Sequence, residues 1–166
     1  TDIYPASEKP IPGITGEPIV EAVKDLGAVG AASSHPDLES LHLPVGRKLK
    51  AGDWVLTLGA GNIHEVGTRL AKDLAEMDHL KAILDEDEGE IRLYEPMRKH
   101  TTMKVGGPAQ FWIEPTTVAG LARSVRHCAD AGTPLRIVGR GSNLLVRDGG
   151  IPGVVVNPVR GEFSEI

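Results

Sequence analysis

The stretch VGRGSNLLVRDGG, residues 138 to 150, has residue types that suit anion binding. Glycines at 139 and 141 let successive backbone N–H groups converge into a concave nest, the Ser142 hydroxyl and Asn143 amide add donors, and Arg140 adds positive charge. A second strand rather than a helix is expected after it, so the loop suits a pyrophosphate held without a helix dipole. A polar hairpin connection is the plainer alternative. A second glycine loop, LGAGNIHEVG at 58 to 67, lies between an expected strand and an expected helix. Gly59 and Gly61 begin a dinucleotide fingerprint, but His64 stands where its third glycine belongs. That leaves an anion site at a helix N-terminus or simply a tight turn.

Other chemistry is sparse. The six histidines, at 35, 42, 64, 79, 100 and 127, show neither HxxxH nor HExxH spacing and have no cysteine partners, so no metal site is expected. Neither a GxxxxGK[ST] phosphate loop nor a GxSxG elbow occurs. The single cysteine, Cys128, falls on the apolar face of an expected helix and reads as a small buried hydrophobe.

The elements that must position these residues belong to a chain of 166 residues, 40% hydrophobic and 25% charged, which excludes wholesale disorder, a collagen repeat and a disulfide scaffold. A lone cysteine fits a reducing compartment. No apolar run approaches the roughly 18 residues a membrane helix needs, so no membrane insertion is expected. The opening Thr1 and TDIYPASEKP carry no signal-peptide pattern and suggest a piece of a longer protein. The net charge of -5 conceals a gradient: 8 basic and 12 acidic residues in 1 to 83, 1 and 6 in 84 to 96, and 9 and 5 in 97 to 166. The middle stretch, LDEDEGEIRLYEP, reads as a solvated linker between two domains. The basic C-terminal segment suits phosphate-bearing small molecules. Its scattered cations and few aromatics argue against nucleic acid.

In the first segment, Glu17-Pro18 ahead of apolar positions 19, 20, 23 and 26 and then Gly27 predicts a helix. DWVLTL (53 to 58) predicts a strand, and Asn62 a cap for a helix with Ile63, Val66, Leu70, Leu74 and Met77 on its apolar face, together an α/β unit. In the second, TTMKVGGPAQFWIEP predicts two strands bent at Gly106-Gly107-Pro108. Thr116 or Thr117 should cap a helix with Val118, Leu121, Ala122, Val125 and Cys128 inward, closed by Gly132. Strands are expected at 134 to 139, 144 to 148 and 153 to 156, an α+β order.

Two family resemblances follow from these motifs. The run from His100 to Pro158, with HTTMKVGGPA, the helix ending AGTP and RIVGRGSNLLVRDGG, resembles the start of UDP-N-acetylenolpyruvoylglucosamine reductase, also called UDP-N-acetylmuramate dehydrogenase. DIYPASEKPIPGITG (2 to 16) and DWVLTLGAGNIHEVG (53 to 67) are similar to the end of UDP-N-acetylmuramate:L-alanine ligase, although Ser7 stands where that family often has arginine. The resemblances imply the junction of a fused, cytoplasmic cell-wall enzyme. Residues 1 to 83 would be part of a Rossmann-like ligase C-terminal domain, 84 to 96 a linker, and 97 to 166 the first subdomain of a PCMH-type FAD-binding domain. They further imply FAD, with its pyrophosphate at Gly139, Arg140, Gly141, Ser142 and Asn143, and NADPH as reductant. UDP-sugar substrates are implied too, with ATP and Mg2+ for the ligase part and Asp2 and Tyr4 near the ligase substrate. Catalytic residues are expected outside this chain. A fragment acting only as a flavin-binding or linker module is the alternative, as is a nicotinamide enzyme built on Gly59 and Gly61.

Overall fold

The computed structural model describes residues 1, 9, 11–27, 30–85 and 87–164. The chain divides into two compact units, residues 1 to 72 and 73 to 166.

The first unit is helical. Helix α1 (Glu17–Asp25) starts with Pro18 in its first turn and ends with Lys24 in its last, as the sequence pattern requires. Helix α2 (His42–Gly46) follows, and then the first part of α3 (His64–Ile83), which buries Val66 and Leu70. The expected strand at 53 to 58 is not formed. Trp54 is 98% exposed, and Leu56 and Leu58 are each 79% exposed. A strand exists only where a neighbouring strand takes its N–H and C=O groups, and among the described residues this unit has no other strand. The α/β expectation for the first segment therefore fails at its strand.

The second unit is the α+β structure. It opens with the rest of α3 and continues through β1 (Gly89–Pro96), β2 (Pro108–Pro115), α4 (Val118–Ala131), β3 (Leu135–Ile137) and β4 (Ile151–Val156). The strands form one four-stranded mixed sheet in the order β1-β2-β4-β3. The β1 and β2 strands are antiparallel, while β4 lies parallel to both β2 and β3. Phe111, Ile113, Val154 and Val156 share one face by register, and Trp112 and Val155 share the other. All six are buried, which is why β2 and β4 read as nearly continuous apolar runs. Met97, Ala109, Val138 and Val146 join Trp112 and Val155 in a core cluster.

Between Ala109 and Phe111 the register with β4 shifts by one residue, a bulge at Pro152 and Gly153. Its Gly153 N–H donates to Gln110 Oε1 at 2.7 Å, and Gln110 Nε2 donates to Asp73 Oδ1 at 2.9 Å. The Tyr94 hydroxyl donates to the other Asp73 oxygen. Asp73, only 3% exposed, thus ties the second half of α3 to β1 and β2.

The acidic stretch 84 to 96 is not a solvated linker along its length, because residues 89 to 96 are the edge strand β1 and Leu93, Tyr94 and Glu95 are buried. Its carboxylates have partners that a composition count does not see. Glu90 pairs with Arg92 at 2.7 Å, and Glu88 pairs with Arg123 of α4. Charged side chains on an edge strand also discourage pairing with another chain.

Helix α4 begins where expected, Thr117 Oγ1 accepting the Gly120 N–H at 3.0 Å, and closes at Gly132 with Thr133 N–H on Cys128 O at 2.9 Å. Its buried stripe is Gly120, Ser124 and Cys128, whereas Val118 and Val125 are 60% and 39% exposed. Close approach selects the small residues: a Cβ on Gly120 would lie 2.9 Å from Leu84 Cδ1 and 3.1 Å from Glu88 O. The expected strands at 101 to 105 and 144 to 148 are irregular backbone instead. We expect Gly120→Val to lower unfolding free energy by about 1 to 3 kcal/mol through overpacking, and Val125→Ala to change it by under about 0.5 kcal/mol. Urea unfolding of the two variants checks this, and equal effects would reject the assigned face.

Candidate functional site

The backbone between β3 and β4 is fixed at its start by Asn157, at the end of β4. Its Nδ2 donates to the carbonyls of Val138 and Gly139 at 2.7 and 2.8 Å. Further along, Thr102 N–H donates to Gly141 O at 3.2 Å, and the N–H groups of Gly107 and Gly150 donate to Arg147 O at 3.0 and 2.9 Å. The segment therefore lies against residues 97 to 107, with Leu144 and Val146 directed into the core cluster. A hairpin with a strand at 144 to 148 would have spent its N–H groups on a ladder. Instead, among the described residues, none of the backbone N–H groups of Gly139 through Asn143 donates a hydrogen bond to the protein. Such donors need water or a ligand.

A cleft of about 440 Å³ opens here, lined by residues 99 to 102 together with Gly139, Arg140 and Asn157. A neighbouring hollow of about 320 Å³ shares Gly139 and Arg140 and reaches Phe163. Of the five loop residues singled out from sequence, Gly139 and Arg140 line both. Ser142 and Asn143 are exposed in a turn outside either lining. Gly141 is buried beneath: at φ 66°, a Cβ there would run into the His100 carbonyl, so its glycine is demanded by packing against residues 100 and 101. A Cβ at Gly139 meets nothing, which makes 139 the position where bare backbone faces open space. Asp2 and Tyr4 lie outside the described residues.

Sequence reasoning missed Lys99, His100 and Asn157 as site residues. The His100 ring stacks on Trp112 with centroids 3.9 Å apart and planes 25° apart, and its Nε2 lies 2.9 Å from Glu95 Oε1. Lys99 Nζ and Arg92 Nη1 each lie 3.3 Å from the same oxygen. Burial pushes the Glu95 carboxyl up, but the His100 and Lys99 contacts and the Arg92 charge outweigh it, so it stays below the ordinary glutamate range. On the same face, Trp112 Nε1 donates to Glu114 Oε1 at 2.9 Å, and Arg92 and Arg160 lie 3.0 and 3.2 Å from Glu114 Oε2. An asparagine closing a VVV strand was the one signal for Asn157. His100 and Lys99 are brought to the cleft by a 3-10 turn (Met97–Lys99) that no periodicity announces.

Elsewhere, burial and the nearby Glu76 raise the Cys128 thiol, which suits the inert role expected of it. Gly59 and Gly61 follow no strand, so the dinucleotide arrangement is not built. Among the described residues no group of three His, Cys, Asp or Glu is placed to hold a metal, and no helix is long and apolar enough to cross a membrane.

No protein-family model matches the chain. Curated proteins do. The chain is 56% identical over 66 residues to UDP-N-acetylenolpyruvoylglucosamine reductase of Clostridium botulinum, covering 40% of this chain and 22% of that protein. It is 46% identical over 74 residues to the reductase of the same name from Anoxybacillus flavithermus, covering 45% of this chain and 24% of that protein. With the one from Desulforamulus reducens it shares 44% identity over 73 residues, 44% of this chain and 24% of that protein. The chain thus spans about a quarter of the length of these relatives, and the similarity supports the reductase part of the sequence reading.

Two outcomes follow from the geometry. Gly141→Ala should cost about 2 kcal/mol or more of stability while Gly139→Ala costs under about 0.5 kcal/mol, read by thermal unfolding. Equal losses would refute the packing role given to 141. Because the Glu95 carboxyl sits below its ordinary value of 4.5 in the folded state, its stabilisation is present above that pH and is lost as pH falls through the folded value. Stability of Glu95→Gln should therefore decline less steeply below pH 4.5 than that of the parent. An unchanged acid limb in urea titrations would contradict the assignment.

Proposed function

We propose that residues 97 to 166 form the opening part of the PCMH-type FAD-binding domain of a cytoplasmic UDP-N-acetylenolpyruvoylglucosamine reductase, with the FAD pyrophosphate lying over Gly139 to Asn143. The observation that carries the reading is the similarity to reductases at 44 to 56% identity over 66 to 74 residues. The local chemistry supports it. A diphosphate loses its hydration on binding and needs fixed donors, and charge-assisted hydrogen bonds from uncommitted N–H groups provide them. Gly139 leaves room for close approach, and Arg140 and Lys99 bring positive charge to the same cleft.

When bound, FAD would supply the redox chemistry, accepting electrons from NADPH and passing hydride to the enolpyruvyl group of the UDP-sugar. The part assigned to this chain is to hold and orient the diphosphate, with Gly139 and Arg140 at the cleft, Asn157 fixing the start of the loop and Gly141 seating it on residues 100 and 101. No catalytic residue is assigned here. Residues 1 to 83 are read as the C-terminal part of a UDP-N-acetylmuramate:L-alanine ligase fused ahead of the reductase, with ATP, Mg2+ and a substrate role for Asp2 and Tyr4 belonging to that part. This reading rests on the DIYPASEKPIPGITG and GAGNIHEVG motifs.

Titrating the 166-residue chain with FAD and following flavin fluorescence tests the cofactor reading. Gly139→Val should abolish binding without loss of stability, because its side chain enters the space meant for phosphate. Arg140→Ala should weaken binding about tenfold at low salt and less at high salt, as expected for one charge-assisted contact. A Gly139→Val protein that binds FAD as the parent does would overturn the assignment.

A further inference from the structure

The hollow beside the cleft holds an aromatic ring that the core does not use. Beyond β4 the chain folds into a 3-10 turn (Gly161–Phe163) that is fastened to the start of α4. Glu162 N–H donates to Thr116 O at 2.9 Å, and Glu162 Oε2 accepts the Val118 N–H at 2.7 Å. Gly161, at φ 57°, lies so close to Thr116 that a Cβ would run into its carbonyl. The turn closes through the Ser164 hydroxyl, which donates to Gly161 O at 2.7 Å. These contacts fix the place of Phe163, yet the residue stays half-buried and outside the cluster around Trp112 and Val155. It lines the hollow of about 320 Å³ instead, with Pro158 and Val159.

The hollow adjoins the cleft, since Gly139, Arg140 and Val159 line both. Their remaining linings differ in chemistry. The cleft presents Lys99, Thr101, Thr102 and Asn157, whereas the hollow presents Pro158 and Phe163. Among the described residues no carboxylate lines either, so neither lining repels an anion. We propose that the hollow is the subsite for the adenine end of the dinucleotide, with the base against Phe163 and the flavin end leaving along the cleft. The proposal rests on the diphosphate placement above and adds a direction that the placement lacks. A diphosphate at Gly139 and Arg140 has two ways out, and its two ends are unlike. The flavin end begins with a ribityl chain, a row of hydroxyl groups that suits Thr101, Thr102 and Asn157 better than an apolar wall. The other end is a flat base on a ribose, and bases stack on aromatic rings and guanidinium planes, both of which line the hollow as Phe163 and Arg140. A cavity of this size accommodates a purine. The flavin ring must also meet a hydride donor and an acceptor, and none of the residues assigned to that chemistry lies in this chain, so the flavin end has to leave the unit while the adenine end does not.

ADP, FMN and inorganic pyrophosphate separate the two ends from the diphosphate they share. By calorimetry on the 166-residue chain, ADP should bind about tenfold more tightly than pyrophosphate, and more tightly than FMN, and should displace FAD. Phe163→Ala should weaken FAD and ADP about tenfold and leave pyrophosphate unchanged, a split that mere loosening of the loop would not produce. Phe163→Trp, which keeps a stacking face, should retain both nucleotides. In the parent, nuclear Overhauser contacts should link the adenine ring protons to the Phe163 ring. ADP that binds no more tightly than pyrophosphate, or Phe163→Ala with unchanged FAD affinity, would overturn the proposal and leave the diphosphate site intact. Failure of FAD, ADP and pyrophosphate alike to bind the parent would overturn the cofactor reading and this proposal together.

Discussion

The second unit depends on one backbone segment lying directly on another, with no side chain between them. Residues 139 to 150 rest against residues 97 to 108. The contact is close enough that a Cβ at 107 would occupy the place of the Asp148 carbonyl, and one at 141 the place of the His100 carbonyl. Backbone at this distance must be hydrogen-bonded, because buried peptide groups cannot be left without partners. The bonds formed use the loop mainly as an acceptor. Gly141 O, Arg147 O, Val138 O and Gly139 O all accept hydrogen bonds from residues outside the loop's first turn. An interface that consumes carbonyls leaves N–H groups over, and N–H groups are what an anion requires. The packing constraint and the uncommitted N–H groups of residues 139 to 143 are thus two consequences of the same contact.

Charge is arranged around that contact in two layers. The carboxylates of the sheet face are occupied: Glu114 by Arg92 and Arg160, Glu90 by Arg92, and Glu95 by Arg92, Lys99 and His100. Exposed pairs of this kind add little stability individually, but a buried carboxylate such as Glu95 or Glu114 is costly to leave alone. Satisfying both in this way keeps uncompensated negative charge away from the cleft, whose remaining charged group is Arg140. The mild acidity of the whole chain therefore says nothing about the sign of the field a ligand would meet there.

How much of this was legible in the sequence varied with the kind of signal. Helix ends were readable because their determinants are local: Pro18 and Gly27 frame α1, and Thr117 and Gly132 frame α4. Strands were read correctly where their apolar runs find partners, as at 108 to 115 and 153 to 156, and wrongly where the runs do not, as at 53 to 58. Residues 144 to 148 have strand composition, yet Leu144 and Val146 serve the core from an irregular loop packed closely on Gly106 and Gly107. The face of α4 was misjudged because hydrophobicity was counted where proximity decides. The acidic stretch misled for a related reason, as its partners Arg123, Lys99 and His100 lie outside it in sequence. Spacing drew attention to the glycine loop but could not assign each glycine a role: it cannot tell Gly139, which faces open space, from Gly141, which faces the chain itself.

The second unit begins at one buried carboxylate, Asp73, ahead of the charge run. Asp73 receives hydrogen bonds from Tyr94 of β1 and Gln110 of β2, and Gln110 in turn holds the N–H of Gly153 that the bulge in β4 sets free. Removing Asp73 would take an acceptor from the Tyr94 hydroxyl and from the half-buried Gln110 amide, so the second half of α3 helps to hold the sheet. Helix α3 therefore runs through the boundary at residues 72 and 73 without a break. The acidic residues after α3 belong to the second unit, where Glu88 pairs with Arg123 of α4 and Glu90 and Glu95 lie on the edge strand β1.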